Sequence, residues 1–120
     1  MLVQNDEIVN IEVAAEDVSL QRLRRTAFTH TNHYLSPKMV QYEKFHTASS
    51  LHRYDRACGL LSTCTSIAGV KSLLSDTADS RYPICREKET IASIIMLPQK
   101  REMYVCRGHP CAGTYKKYTL

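Results

Sequence analysis

The residues best equipped for chemistry fall into two groups. One is the run His30-Thr31-Asn32-His33, two imidazoles around a carboxamide; the other is a set of five cysteines, Cys58, Cys64, Cys85, Cys106 and Cys111. An imidazole exchanges a proton near neutral pH, and a carboxamide offers neutral donors and an acceptor in a fixed plane. A thiolate is both a nucleophile and a soft metal ligand. Cys106, His109 and Cys111, with Cys85 as a fourth ligand, form the one combination suited to zinc, although Cys-x2-His-x-Cys is not among the usual structural zinc spacings. The cysteine count is odd, and the amino terminus MLVQNDEIVN carries acids where an export signal would carry a basic flank and an apolar stretch. Reduced thiols in a cytoplasmic protein are therefore expected rather than a disulfide framework, most of them as small core residues.

The elements that must position these groups follow from periodicity. Glu7 to Val13 alternates over part of its length and is rich in β-branched residues, predicting a half-buried strand. Leu20 to Leu23 is ambiguous. Thr26 to Leu35 reads as a second strand, stopped by Ser36-Pro37, which would put Phe28, His30, Asn32 and Tyr34 on one side and Thr29, Thr31 and His33 on the other. From Pro37 to Ala48 no period is visible. Ser49-Ser50 supplies N-cap chemistry for a helix whose shared face is Leu51, Tyr54, Cys58 and Leu61, with His52, Arg53, Asp55 and Arg56 turned mostly outward.

A second helix is predicted from about Ser66 to Leu74, with Gly69 as its weak spot. Thr90 to Leu97 is short and β-branched, hence a buried strand; Pro98 to Arg101 turns the chain, and Glu102 to Arg107 returns as an alternating strand that Gly108-His109-Pro110 ends. The order β-β-α-α-β-β is α+β or layered α/β, without an internal repeat.

Composition bounds the partners. In 120 residues, 16 Lys+Arg against 12 Asp+Glu leave a formal charge of +4, and 43% hydrophobic with 23% charged residues is close to the globular average. Intrinsic disorder, collagen and coiled coil are excluded, and no apolar run approaches the roughly 18 residues of a membrane span. The basic residues are scattered, with short clusters only at Arg22-Leu23-Arg24-Arg25 and Lys116-Lys117, so they read as solvated surface rather than a nucleic-acid face.

Three stretches in this order, Thr29 to Leu35, Ser50 to Arg56, and Thr90 to Leu97 with Arg101 to Pro110, resemble the acyl-coenzyme A:isopenicillin-N acyltransferase-like family. Its members are cysteine N-terminal nucleophile hydrolases, a class that includes the N-β-alanyl-dopamine hydrolases. The His-Thr-Asn-His run is the most specific element, followed by the Arg-bearing helix, Tyr82-Pro83-Ile84-Cys85-Arg86 and the closing hairpin. The resemblance implies a four-layer αββα sandwich, of which residues 1–120 would be the C-terminal part of one domain, the family extending further upstream. It also implies autoproteolysis that frees a cysteine, which then forms an acyl-enzyme with an amide or thioester carbonyl.

By the same resemblance, Asn32 matches the asparagine whose amide helps form the oxyanion hole. The strand reading puts His30 on the same side, either as a candidate substrate-binding residue or as a histidine bonded to neighbouring backbone, and His33 on the other face as a structural residue. The nucleophile is expected upstream. Cys64, between Thr63 and Thr65, imitates a cleavage site but follows the His-Thr-Asn-His run, against the family order, and Cys58 reads as a core thiol. Where the penicillin-acylating branch has an arginine before the last hairpin, the matching place here holds Glu87, flanked by Arg86 and Lys88, which disfavours penicillin chemistry. General acyl transfer or linear-amide hydrolysis is what the resemblance supports. No resident cofactor and no metal are implied; acyl-coenzyme A enters as a possible substrate, and the partners are a small amide or acyl-thioester and the upstream part of the same protein. The alternatives are a small zinc-binding or interaction module, or a catalytically dead remnant of the family.

Overall fold

Backbone hydrogen bonding in a computed structural model builds two antiparallel three-stranded sheets, one near each end of the chain. Residues 2–4, 7–24, 27–45 and 47–119 are described; Arg25 and Thr26, in the basic cluster and at the start of the second predicted strand, lie outside them. The chain divides into two units, Met1–Cys58 and Gly59–Leu120. The α+β expectation is met. Among the described residues no helix is long and apolar enough to cross a membrane.

In the first unit, β1 (Leu2–Gln4), β2 (Glu7–Val13) and β3 (Val18–Leu23) pair in that order. The predicted strand forms as β2, and the ambiguous Leu20 to Leu23 becomes the end of β3. A tight connection joins them, Ala14 N donating to Asp17 O at 2.8 Å and Val18 N to Asp17 Oδ1 at 2.8 Å. One face of β2 buries Ile8, Asn10 and Glu12. The other leaves Ile11 and Val13 exposed opposite Leu20 and Val18.

The second predicted strand is not formed. Residues 27–35 run without ladder pairing, and the backbone donors toward the end of the segment find side-chain acceptors instead. Asn32 N donates to Ser50 Oγ at 2.9 Å, Tyr34 N to Glu43 Oε2 at 2.8 Å, Leu35 N to Glu12 Oε1 at 2.7 Å and Ser36 N to Glu12 Oε2 at 2.9 Å. Once these amides are satisfied, nothing is left to drive them into a sheet.

After Ser36, Pro37 opens the short helix α1 (Pro37–Val40), which buries Met39 and brings Lys38 Nζ to Asp17 Oδ1 at 2.5 Å. Helix α2 (Ala48–Leu60) follows. Thr47, not Ser49 or Ser50, caps it: Thr47 Oγ1 accepts from Ser50 N at 3.2 Å. The buried positions of α2 are Ser50 and Ala57, seven apart on one stripe, while Leu51 and Cys58 are exposed. The predicted face is thus displaced by one residue, and Cys58 is a surface thiol rather than a core one; it is Ser50 that meets the 27–35 segment.

In the second unit, a 3-10 turn at Leu61–Thr63 leads to α3 (Ile67–Leu74), within one residue of expectation and capped by Ser66 Oγ, which accepts from Gly69 N at 3.1 Å. Strands β4 (Ala92–Leu97), β5 (Glu102–Arg107) and β6 (Lys116–Thr119) form the second sheet, β4 and β5 making the predicted hairpin from Leu97↔Glu102 to Ala92↔Arg107. Arg101, at φ 54°, closes the turn. β4 is buried on one face only: Ser93 and Ile95 are buried, whereas Ile94 and Met96 are 50% and 63% exposed. Its apolar run therefore serves two faces, one of them open.

Cysteine chemistry also departs from expectation. Cys85 and Cys111 are joined by a disulfide, their Cα atoms 6.2 Å apart, so these two are not reduced core thiols. Their separation of 26 residues conceals the proximity, which the turn after β5 creates. Cys106 is buried, as a small core residue should be.

Candidate functional site

An open cleft of about 520 Å³ lies in the first unit, walled by β2 on one side and by the 30–34 and 42–45 segments on the other. It brings together Glu12, His30, Asn32 and Tyr34. His30 and Asn32 thus share the cleft although the strand does not form, but the two-sided alternation expected of a strand is lost: Thr31 and His33 turn to Ser50 of α2, and His33 lines the same cleft as well.

That turning has a physical anchor. Ser50, fully buried on the first turn of α2, accepts from Asn32 N at 2.9 Å and lies 2.9 Å from His33 Nδ1 and 3.1 Å from Thr31 Oγ1. The Thr31 hydroxyl donates in turn to Ser50 O at 2.9 Å. His33 stacks edge-on against Tyr54, with centroids 5.4 Å apart at 82°. One buried hydroxyl therefore fixes three consecutive residues of the His-Thr-Asn-His run, and the structural role expected for His33 fits these contacts.

Asn32 is held from both ends. Its backbone N–H is fixed by Ser50, and Arg53 Nη2 donates to its Oδ1 at 2.7 Å. With Oδ1 occupied by a guanidinium donor, the flip of the carboxamide is set, and Nδ2 is left as its donor end. Arg53, expected to look outward, is instead half-buried and one helical turn beyond Ser49, whose hydroxyl accepts from Arg53 Nε at 3.3 Å.

His30 is also fixed. Its Nδ1 lies 2.6 Å from Thr31 O and its Nε2 2.9 Å from Glu12 Oε1, so both ring nitrogens face oxygen acceptors. Glu12 has only 2% of its side chain exposed. Burial pushes its carboxyl up, but the amides of Leu35 and Ser36, the His30 ring and the Asn10 side chain all stabilise the anion, and together they hold it below the usual carboxylate range. A buried anion beside a cleft is therefore fully compensated. Its function in the fold is to gather the loop that carries Asn32.

Sequence reasoning missed Glu12, Ser50 and Arg53. Glu12 sits at a polar position of an alternating strand, Ser50 looks like a cap, and Arg53 looks like a solvated helix residue; only the spacing of charged and hydroxyl residues around the His-Thr-Asn-His run could have drawn attention to them.

Neither Cys58 nor Cys64 joins the cleft. Cys64 is half-buried in the second unit, its Sγ within 3.6 Å of Leu60 O and 3.9 Å of Gly69 O. Glu87 is exposed in a turn, and the neighbouring Arg86 is paired with Glu89. Of the ligands proposed for zinc, Cys85, His109 and Cys111 converge, whereas Cys106 turns its Sγ to Arg107 O at 3.7 Å and does not belong to the group.

No curated protein and no solved structure matches the chain. A family model does, over residues 1–112, a span that includes every residue of the cleft. The chain belongs to the family described as acyl-coenzyme A:6-aminopenicillanic acid acyl-transferase.

Proposed function

We propose that this chain supplies the oxyanion-binding part of an acyltransferase or linear-amide hydrolase that works through a cysteine acyl-enzyme. The observation that carries the reading is the doubly anchored Asn32 on a cleft wall, its Oδ1 held by Arg53 at 2.7 Å. A neutral donor fixed before the substrate arrives costs no reorganisation when charge develops, which is what oxyanion stabilisation requires.

In this reading a segment preceding residue 1 brings the nucleophilic cysteine, with its free α-amino group as base. The thiolate attacks an amide or thioester carbonyl, forming the C–S bond. The oxygen becomes an oxyanion that accepts from Asn32 Nδ2. Collapse expels the amine, protonated by the α-ammonium group, or the thiolate of a thioester; water or a second amine then attacks the acyl-enzyme and restores the cysteine. His30, fixed by Glu12, forms part of the wall that receives the substrate.

The fold in this reading is a four-layer αββα sandwich completed by the preceding segment. Each sheet has one uncovered apolar face: Ile11, Val13, Val18 and Leu20 in the first unit, Ile94 and Met96 with Tyr118 in the second. Such faces are what a further sheet layer would cover.

Co-expression of the chain with a preceding family segment bearing the cysteine tests the proposal. Thioester or amide turnover should appear, and Asn32→Ala should lower kcat by about 10²–10³ with little change in KM. Turnover indifferent to Asn32→Ala would remove the oxyanion role.

A further inference from the structure

We propose that Cys85, His109 and Cys111 form a redox-gated Zn2+ site in the second unit, closed while the two sulfurs are joined and opened by reduction. The three side chains offer two sulfurs and an imidazole nitrogen within 4.8 Å of one another, and no role in the acyl-transfer chemistry uses them. Two thiolates and an imidazole are borderline-soft donors that suit Zn2+, and three protein ligands leave a fourth position for water or an external ligand.

The loop that carries them is constructed to bring them together. Gly108 takes φ +78°, a conformation open to glycine, and its N–H donates to Ile91 O at 2.9 Å as the chain leaves β5. A Cβ on Gly113 would lie 2.4 Å from Cys106 Sγ, so glycine is needed where the loop folds back. His109 O accepts from Gly113 N at 3.1 Å, Ser75 Oγ donates to the carbonyl of buried Pro110 at 3.2 Å, and Cys85 N donates to Asp76 O at 2.9 Å. His109 Nδ1 is thereby set 3.4 Å from Cys111 Sγ.

The two sulfurs are unequal. Cys111 is exposed and Cys85 is 2% exposed, with Cys111 N donating to Cys85 Sγ at 3.2 Å. A dithiol reductant, small molecule or protein, would therefore attack Cys111 Sγ, forming a mixed disulfide and expelling Cys85 as a thiolate that the Cys111 amide stabilises. The reductant's second thiol then displaces Cys111, so that two electrons and two protons pass to the protein and the reductant becomes a disulfide. Zn2+ binding to the reduced site releases thiol protons.

The test is zinc binding by the purified chain in both redox states. After exposure to Zn2+ and desalting, the dithiol-reduced chain should retain one zinc by elemental analysis, and the oxidised chain none. Co2+ in place of Zn2+ should give thiolate charge-transfer absorption in the reduced chain only. His109→Ala, which leaves the disulfide and hence the oxidised fold intact, should weaken zinc binding at least about tenfold, since even outer-shell losses cost that much. Cys85→Ser and Cys111→Ser should abolish retention. The proposal is overturned if the reduced chain retains no zinc, if the oxidised chain retains as much, or if His109→Ala binds as tightly as the parent; the last comparison decides the matter should either serine variant fail to fold.

Discussion

Arg53 Nη2 meets Asn32 Oδ1 at 2.7 Å, so the orientation of the Asn32 carboxamide is imposed from a neighbouring helix rather than by its own loop. Arg53 is thus a positioning residue in the proposed site. Arg53→Ala should leave the amide free to rotate and lower kcat by about 10- to 100-fold, in the range that small misplacements cost. Combined with Asn32→Ala it should add little, because both changes remove the same donor. Single-turnover kinetics of the four forms checks this; fully additive losses would mean that the two residues act separately.

Ser50 carries more of the loop than its size suggests. Replacing it with alanine leaves Asn32 N–H without its acceptor and strips a partner from His33 and Thr31. A buried donor left unsatisfied costs about 1–3 kcal/mol. Urea unfolding of Ser50→Ala should show a loss in that range at unchanged m-value, whereas exposed Ser72→Ala in α3 should be close to neutral.

Glu12 gives the site an acid limit. Desolvation opposes its charge, but its hydrogen bonds win and keep its folded-state pKa lowered, so the folded chain binds this proton less tightly than the unfolded chain does. The stabilisation it brings is complete above the unfolded value, about 4.3, and drains away as pH falls from there through the lower folded value. Urea midpoints measured from pH 6 down to pH 3 should fall across that window. In Glu12→Gln the midpoint should be lower at pH 6 and the fall shallower; an equally steep fall would place the acid sensitivity elsewhere.

What the sequence disclosed, and what it hid, divides along the range of the interactions. β2, α3 and the β4–β5 hairpin are set by local period, a Ser66 cap and a turn, and all three are readable from residues within a few positions of one another. The 27–35 segment has strand-like composition, but the amides of Asn32, Tyr34 and Leu35 are claimed by Ser50, Glu43 and Glu12, up to 23 residues away in sequence. The same distance hides Arg53 as a partner of Asn32. The resemblance singled out Asn32, and strand alternation His30, but neither disclosed the contacts that hold them. The Cys85–Cys111 pair depends on how the chain returns after β5, which no spacing rule encodes.

Two glycines offer a contrast in what packing allows. A Cβ at Gly69 would stand 2.2 Å from Thr63 O, a backbone atom, whereas a Cβ at Gly59 meets nothing within 4 Å. Alanine gains up to about 1 kcal/mol over glycine in a helix interior. At Gly69 that gain is outweighed by a forced shift of α3 against the 3-10 turn, of the kind that costs about 1–3 kcal/mol. Gly69→Ala should therefore lower the melting temperature and Gly59→Ala raise it slightly; scanning calorimetry of the pair tests the asymmetry.

The uncovered sheet faces make the final prediction. Leu20 is 56% exposed on β3 and Met96 63% exposed on β4, each among apolar neighbours on its own sheet. If these faces await a further layer, Leu20→Lys and Met96→Lys should each reduce self-association of the chain in sedimentation velocity while changing its stability by no more than about 0.5 kcal/mol, as for any surface site. The same substitutions should lower the yield of active enzyme when the preceding segment is co-expressed, because a lysine would then be buried without a partner. A loss of several kcal/mol in the chain alone would show instead that these faces are already covered in solution.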